Sequence, residues 1–481
     1  MNNYQMHIAG EWTESESGQS FEVVSPVTGE PIGTLPSGTR ADVQRAIDAA
    51  NAAWPAWAAR TPFERAALLE RAASIIGERR EELARTLTLE QGKPLHAEAY
   101  IEVDDIAEYF RMAAGDARRL EGVMPASVDA NKRVLLQRVP RGVVGVITPW
   151  NWPYEMPAEV VGPALACGNA VVWAAAPTTS ICAVKLAECI LAAGLPPGLL
   201  NLVTGPGAVV GDEIAANPGT QAVAFIGSIA TGHTVAARAA GKELLIEMGG
   251  NGPMVILEDA DLDQAVAATL VGCFLGAGQS CSASELILVQ ESVHDEYVRR
   301  LQAAVEEKIR LGDPFDPATT LGPLNNEPTA AKMDRHIADA LSRGAKIVTG
   351  GQRATNRPTP LYYQPTVLAG VTLEMEVARE ETFGPIAPVA VIRDEGQALE
   401  IINSSEYGLL AAVFTRDLRR ALKFAEAARV GWVNINESTN WWELHLPFGG
   451  RAGSRSGFGR VGGRHIYERL TELKTIVVNL A

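Results

Sequence analysis

Cys281 stands in Gly276-Ala277-Gly278-Gln279-Ser280-Cys281-Ser282-Ala283, a run of small residues that follows an apolar, helix-length stretch. Small neighbours leave room for a carbonyl group to reach sulfur, and a thiolate in such a place is a nucleophile. A lone cysteine is more often a buried packing residue, and Cys167, Cys182, Cys189 and Cys273 are read that way. Cys281 is set apart because other segments point to the same chemistry. Asn151, in Thr148-Pro149-Trp150-Asn151-Trp152-Pro153, follows the apolar run 143–147 and so falls just past a strand's carboxyl end, where α/β proteins gather ligands. Its amide suits donation to a developing oxyanion, against the plainer reading of a turn-forming Asn between prolines. Glu247-Met248-Gly249-Gly250 ends another apolar run, with a carboxylate that the glycines allow to be approached closely; the plainer reading is a solvated strand-end Glu.

Two segments carry phosphate signals of unequal strength. Gly205-Pro206-Gly207 with Gly211 is one residue longer than the GxGxxG dinucleotide turn and is a weak match. Phe225-Ile226-Gly227-Ser228 ends an apolar run and opens a helix through Thr231-Gly232, whose free backbone N–H groups can meet a pyrophosphate. An ordinary capping role for Ser228 competes with that reading.

Holding these groups requires a rigid frame, and the pattern supplies one. Short apolar runs at 143–147, 170–173, 199–203, 222–226 and 244–247 mostly alternate with helix-length segments, which implies parallel strands buried on both faces and a doubly wound α/β domain. A second α/β series follows Asp259: a helix over 261–275, a strand at 286–289, a helix over 295–311 and strands at 386–392, 411–414 and 432–435. Residues 40–120 read as covering helices punctuated at Pro55, Pro62 and Pro94. The runs 133–139 and 475–479 match no crossover and predict a small separate sheet of the kind that serves subunit pairing.

Bulk properties narrow the function classes. A chain of 481 residues exceeds one ordinary domain of roughly 150. With 47% hydrophobic and 21% charged residues it is globular, and a net charge of -15 argues against nucleic acid or an anionic membrane as partner. No apolar run approaches the roughly 20 residues that span a bilayer, and no basic leader precedes one, so a cytoplasmic protein is expected. Five cysteines, none in a CxxC pair, suggest a free thiol and neither disulfides nor a metal site.

The motifs TPWNWP, EMGG, GQSCSA, Glu380-Glu381-Thr382-Phe383-Gly384-Pro385 and Pro447-Phe448-Gly449-Gly450 stand in one order, with Gly431-Trp432-Val433-Asn434-Ile435-Asn436 between the last two. Over nearly the whole chain this resembles the aldehyde dehydrogenase superfamily. The resemblance implies Cys281 as nucleophile, Asn151 and the Cys281 backbone N–H as oxyanion donors, and Glu247 as the base that hydrolyses a thioester. For the cofactor it implies NAD, with NADP the second choice. Glu381 would meet the nicotinamide ribose and Phe383 the ring, Gly227 and Ser228 the pyrophosphate, and Ile147, Thr148, Pro149 and Trp150 would line the cleft near Gly207, Gly211, Phe225, Met248 and Gly249. The domains implied are a cofactor-binding domain of residues 1–120 and 140–248, a catalytic domain of 249–448, an oligomerisation arm of 121–139 and 465–481, and a return segment of 449–464. The assembly would be a homodimer or homotetramer.

Departures from the family pattern matter for specificity. Ala174 and Pro177 stand where relatives carry a ribose-binding Lys and a Glu, and the missing cation favours NAD over NADP. Val160, Leu286 and Val461 replace a usual Lys, Arg and Glu. The substrate channel is expected to be lined by Trp152, Tyr154, Met156, Trp441 and Trp442, which suits an aromatic or apolar aldehyde, and residues 459–463 and 470–473 resemble the vanillin and salicylaldehyde branch. Arg451 and Arg455 either bind a substrate anion or form a solvated basic turn. The competing functions are a CoA-acylating semialdehyde dehydrogenase, disfavoured by the presence of Glu247, and a non-catalytic binding protein on the same fold.

Overall fold

A computed structural model describes residues 2–481 as mixed α/β. The first large sheet contains, in chain order, β1 (Met6–Ile8), β2 (Glu11–Thr13), β3 (Val143–Ile147), β4 (Ala170–Ala174), β5 (Leu200–Leu202), β6 (Ala222–Gly227) and β7 (Glu243–Met248). Its spatial order is β7-β6-β3-β4-β5-β1-β2, with Gly457–Phe458 added antiparallel beside β7. The five strands from β7 to β5 are parallel. They are Val-, Leu- and Ala-rich and buried on both faces, as strands covered by helices on each side must be.

The chain runs outward from β3 through β4 to β5, then crosses to the other side of β3 to form β6. That reversal opens a crevice between the carboxyl ends of β3 and β6, where doubly wound sheets bind their ligands. Ile147 and Phe225 are paired in register at this edge. Thr148-Pro149-Trp150-Asn151 therefore leaves from one side of the crevice and Gly227-Ser228 from the other.

The second sheet holds β8 (Pro253–Ile256), β9 (Leu286–Gln290), β10 (Lys346–Thr349), β11 (Thr366–Val371), β12 (Ile386–Ile392), β13 (Leu410–Phe414) and β14 (Trp432–Ile435). Its order is β10-β11-β12-β9-β8-β13-β14, parallel except for β10. β8, β10 and β11 carry no clean apolar run: β8 begins on Pro253, β10 is largely exposed, and Gly370 interrupts β11. The helix Arg40–Ala58 passes through Pro55 rather than stopping there, whereas Pro62 opens the next helix behind a Thr61 capping box. A missing N–H is harmless in a first turn, as at Pro62, whereas Pro55 in the last turn costs its helix one backbone hydrogen bond.

Lys132–Pro140 and Thr471–Asn479 pair antiparallel over nine residues as a sheet of their own. Among the described residues no helix is long and apolar enough to cross a membrane.

Candidate active site

Three elements converge on Cys281. Helix α4 is taken as Leu262–Phe274, with α1 Tyr100–Ala117, α2 Glu155–Ala166 and α3 Ile229–Arg238 preceding it. After α4 the chain turns through Gly276, Ala277 and Gly278, all three at positive φ (59°, 56° and 71°). Left-handed backbone at a non-glycine such as Ala277 costs of order 1–3 kcal/mol and persists only where the surroundings impose it. They do: a Cβ at Gly278 would collide with the Gly384 carbonyl, and Gln279 is tied at both ends, donating to the Gly276 carbonyl and accepting from the Asn325 N–H.

Beyond the turn, the Ser282 hydroxyl donates to Asn440 Oδ1 at 2.7 Å, and Asn440 donates to the Val271 and Gly272 carbonyls at the end of α4. The nucleophile loop is thus fixed from behind. Cys281 alone of the five cysteines is partly exposed, and it faces a tunnel.

Asn151 donates to the Gln279 carbonyl at 3.0 Å, which sets its amide two residues before Cys281 and leaves a second N–H to serve an oxyanion. Glu247, at the end of β7, lines the same cavity, 3% exposed, with Oε1 lacking a hydrogen-bond partner. Burial, with smaller contributions from Glu159 and Glu381, pushes its carboxyl up to about 8, while the neighbouring Cys281 thiol pulls it down. The Cys281 thiol is itself held well above its ordinary value by burial and then by Glu247. A carboxyl poised near neutrality beside the nucleophile is a base able to activate water there.

A buried ion pair supports this region from the other side. Lys93 Nζ lies 2.5 Å from Glu102, whose second oxygen accepts the N–H of Tyr154 at 3.0 Å and, more weakly, that of Glu155. This fixes the start of α2 and the loop carrying Asn151. Lys93 also sits 3.2 Å over the Trp152 ring.

The crevice residues divide into those that face outward and those that brace. Ser228 caps α3, accepting from Thr231 N–H, so the groups left for an anion are the backbone N–H groups of that first turn. Phe225 and Met248 point into a core cluster with Val223, Val235 and Ile246. A Cβ at Gly227 would meet Phe225 and one at Gly232 would meet Met248, so both support the turn and do not line the crevice as expected. Gly207 is exposed with open space around it, while Gly211 is buried against Ile147.

Ala174 is paired with Ile147 and its carbonyl accepts from the Thr148 N–H at 3.0 Å, so a longer side chain there starts at the crevice wall; Pro177 is exposed just beyond. The Glu381 carboxylate abuts Gly249, where any side chain would collide, and accepts the Gly250 N–H at 3.2 Å. Phe383 has φ 62° and meets Trp150 edge-on with ring centroids 5.6 Å apart. Glu285, which sequence reading missed, imposes that backbone by accepting the N–H groups of Thr382 and Phe383 at 2.5 and 2.7 Å. A free helix start, an approachable glycine and a carboxylate at one edge fit a dinucleotide.

The tunnel to Cys281 is narrow, about 30 Å³, and is walled by Trp152, Met156, Trp442, Leu446, Phe448 and Val461. Tyr154 is not in it. Its side chain is fully buried in the core beside Cys182, because the proline-flanked loop turns into α2 there and points it inward. Trp441 is 43% exposed and lines an outer vestibule instead. Arg451 bonds the Arg429 carbonyl and Arg455 pairs with Glu406, and neither faces the tunnel. Val160 and Val461, which stand where relatives usually carry Lys and Glu, are both buried in the apolar core. Glu159 and Tyr109 line the tunnel unforeseen; the available signal was a Glu pair, Glu155 and Glu159, four residues apart in an otherwise apolar helix.

Comparison with known proteins defines the class. The model of the aldehyde dehydrogenase family matches residues 12–476. The NADP(+) succinate-semialdehyde dehydrogenase of Escherichia coli K12 is 39% identical, over 99% of this chain and 98% of the relative. The glutarate-semialdehyde dehydrogenase of Pseudomonas putida KT2440 is 38% identical over the same shares. Among solved structures, a point mutant of Staphylococcus aureus betaine aldehyde dehydrogenase with NAD+ bound superposes with a TM-score of 0.96 at 34% identity, covering 100% of this chain and 98% of that one.

The chain belongs to the aldehyde dehydrogenase family. It is an oxidoreductase acting on the aldehyde group.

Proposed function

We propose that the protein oxidises an aldehyde with an apolar or aromatic body to the carboxylic acid, through a thioester on Cys281, with NAD as acceptor and NADP as second choice. The observation that carries this reading is the meeting of Cys281 and Glu247 at the end of one apolar tunnel, with the Asn151 amide tied to Gln279 beside the cysteine. The Cys281 thiol gives up its proton to solvent, and sulfur attacks the carbonyl carbon. The Asn151 amide and the Cys281 backbone N–H hold the resulting oxyanion, each donor contributing about 3 kcal/mol by analogy with other oxyanion sites. When bound, the dinucleotide supplies a cationic nicotinamide ring that accepts the hydride. Glu247 then draws a proton from water, which attacks the thioester carbon, and the acid leaves as the thiol re-forms. One aldehyde, one oxidised cofactor and one water give one acid, one reduced cofactor and a proton. The relatives compared lend no support to the CoA-acylating or non-catalytic alternatives.

We assign subunit pairing to the two-stranded arm, since such a ribbon is marginal alone and exposes Leu135, Leu473, Val477 and Val478. A homodimer or homotetramer follows. The crevice between β3 and β6 takes the cofactor. Replacing Ala174 with Lys is expected to tighten NADP binding about 10- to 100-fold and NAD binding less, through a charge-assisted contact to the 2′-phosphate. Fluorescence titration with NADPH and NADH measures both, and equal changes would remove the 2′-phosphate as the target.

Thioester hydrolysis needs Glu247 as the carboxylate. With its carboxyl raised to about 8 chiefly by burial, the hydrolytic rate is expected to climb with pH below about 8 and level off above it. The groups facing Glu247 are Cys281, Glu159 and Glu381, and none is a cation that would lower that value. Single-turnover quench between about pH 6 and 10 tests this directly; a flat profile would exclude Glu247 as the hydrolytic base.

A further inference from the structure

The tunnel that ends at Cys281 opens through Trp152, Trp442 and Glu443 into a wider vestibule, and those three residues line both. Trp152 and Trp442 meet edge-to-face at 5.7 Å and form the neck. Charge along this route is one-sided. Inside, Glu159 is 4% exposed, and its contact is Tyr109, whose hydroxyl donates to Oε1 from 3.4 Å. Outside stand Glu98, Asp105, Glu108 and Glu443. Glu98 is 4% exposed and lines the vestibule with Oε2 unpartnered.

Neither cavity is lined by Lys or Arg. The nearby cations are engaged: Lys93 is paired with Glu102 behind Trp152 and also attracts Glu98 and Asp105, and Arg111 is exposed and paired with Glu108. His445 at the rim lies 3.4 Å from Glu443.

Acids buried without cations are costly, and they are retained where a ligand supplies the missing charge. An aromatic neck with acids on both sides is the chemistry that receives an ammonium group, through ring faces and carboxylates together. We propose that the substrate is a cationic aldehyde, carrying a protonated or quaternary amine away from the carbonyl, and that Glu159 is the binding residue that selects it. The vestibule acids draw the cation in, the apolar walls take the chain, and Glu159, whose carboxyl burial pushes up to about 8, loses its proton to face the cation. This rests on the reading of Cys281 as the aldehyde-oxidising residue and narrows the aldehyde's apolar body to one that ends in a cation. It separates this protein from relatives named for semialdehydes, because a semialdehyde's carboxylate would meet six acids along the two cavities and no lining Lys or Arg.

Three probes of matched length test the charge: 4-trimethylammoniobutanal, its neutral isostere 5,5-dimethylhexanal, and the anion 5-oxopentanoate, each with NAD. The cation is expected to exceed the isostere about tenfold in kcat/KM, and the anion by more. That lead should shrink several-fold as salt rises from about 20 to 500 mM, because exposed charges are screened. Glu159→Gln is expected to cut the cation-to-isostere ratio about tenfold; should that variant not fold, Asp105→Asn at the rim is expected to cut it about threefold. An isostere or anion used as well as the cation overturns the proposal while leaving aldehyde oxidation intact, and an unchanged ratio in both variants does the same. If none of the three, nor benzaldehyde, yields NADH, the aldehyde-oxidising reading fails and this proposal falls with it.

Discussion

Replacing Cys281 with Ala is expected to abolish oxidation of every aldehyde, a loss of at least about 10⁴-fold, as for removal of other covalent nucleophiles. Cofactor affinity should survive, because the crevice between β3 and β6 is built from other segments. The four remaining cysteines are buried in packed surroundings, and burial raises their thiols, to about 12 at Cys167 and about 11 at Cys189. Single Ala replacements there should keep kcat and cost stability of roughly 1–3 kcal/mol through lost packing. Iodoacetamide should label Cys281 first, and bound aldehyde should protect it. Cys281 owes this order to its exposure in the tunnel, since its own thiol is also raised by burial. Steady-state NADH formation by the five variants, with peptide mapping of the label, measures both halves; an active Cys281→Ala protein would require a direct-transfer mechanism.

Glu247→Gln should separate the two half-reactions. Acylation followed by release of reduced cofactor gives a burst of about one NADH per site, and without the base later turnover slows by about 10²- to 10⁴-fold. The amide is nearly isosteric and fits the same buried place at the end of β7. Stopped-flow absorbance reads burst and slow phase in one trace. An undiminished steady state would remove Glu247 from hydrolysis, and loss of the burst would show it essential to acylation as well.

Local order was legible in the sequence where one segment carried its own signal. The strands at 386–392 and 432–435 coincide with their apolar runs, and the carboxyl end of β3 positions Asn151 as its place after a buried strand required. What escaped depends on distant partners. Nothing near Glu285 announces that it braces Phe383, and nothing near Glu102 announces that it anchors the start of α2. Tyr154 and Trp441 were misplaced because loop composition gives residue type but not side-chain direction, which the turn into α2 and the exposed rim decide. β10 and β11 were missed because they lack the apolar alternation that marks a strand.

The central claim is that catalysis passes through an acyl group on Cys281. Its most direct test is intact-mass and peptide mass spectrometry of the Glu247→Gln protein, quenched in acid during the slow phase after mixing with benzaldehyde and NAD. The account predicts one added acyl group per chain, heavier than the bare protein by the aldehyde less one hydride and the displaced thiol proton. It should be carried on the peptide containing Cys281 and released by hydroxylamine. NADH formed without any adduct on Cys281, or an adduct on another cysteine, would contradict it.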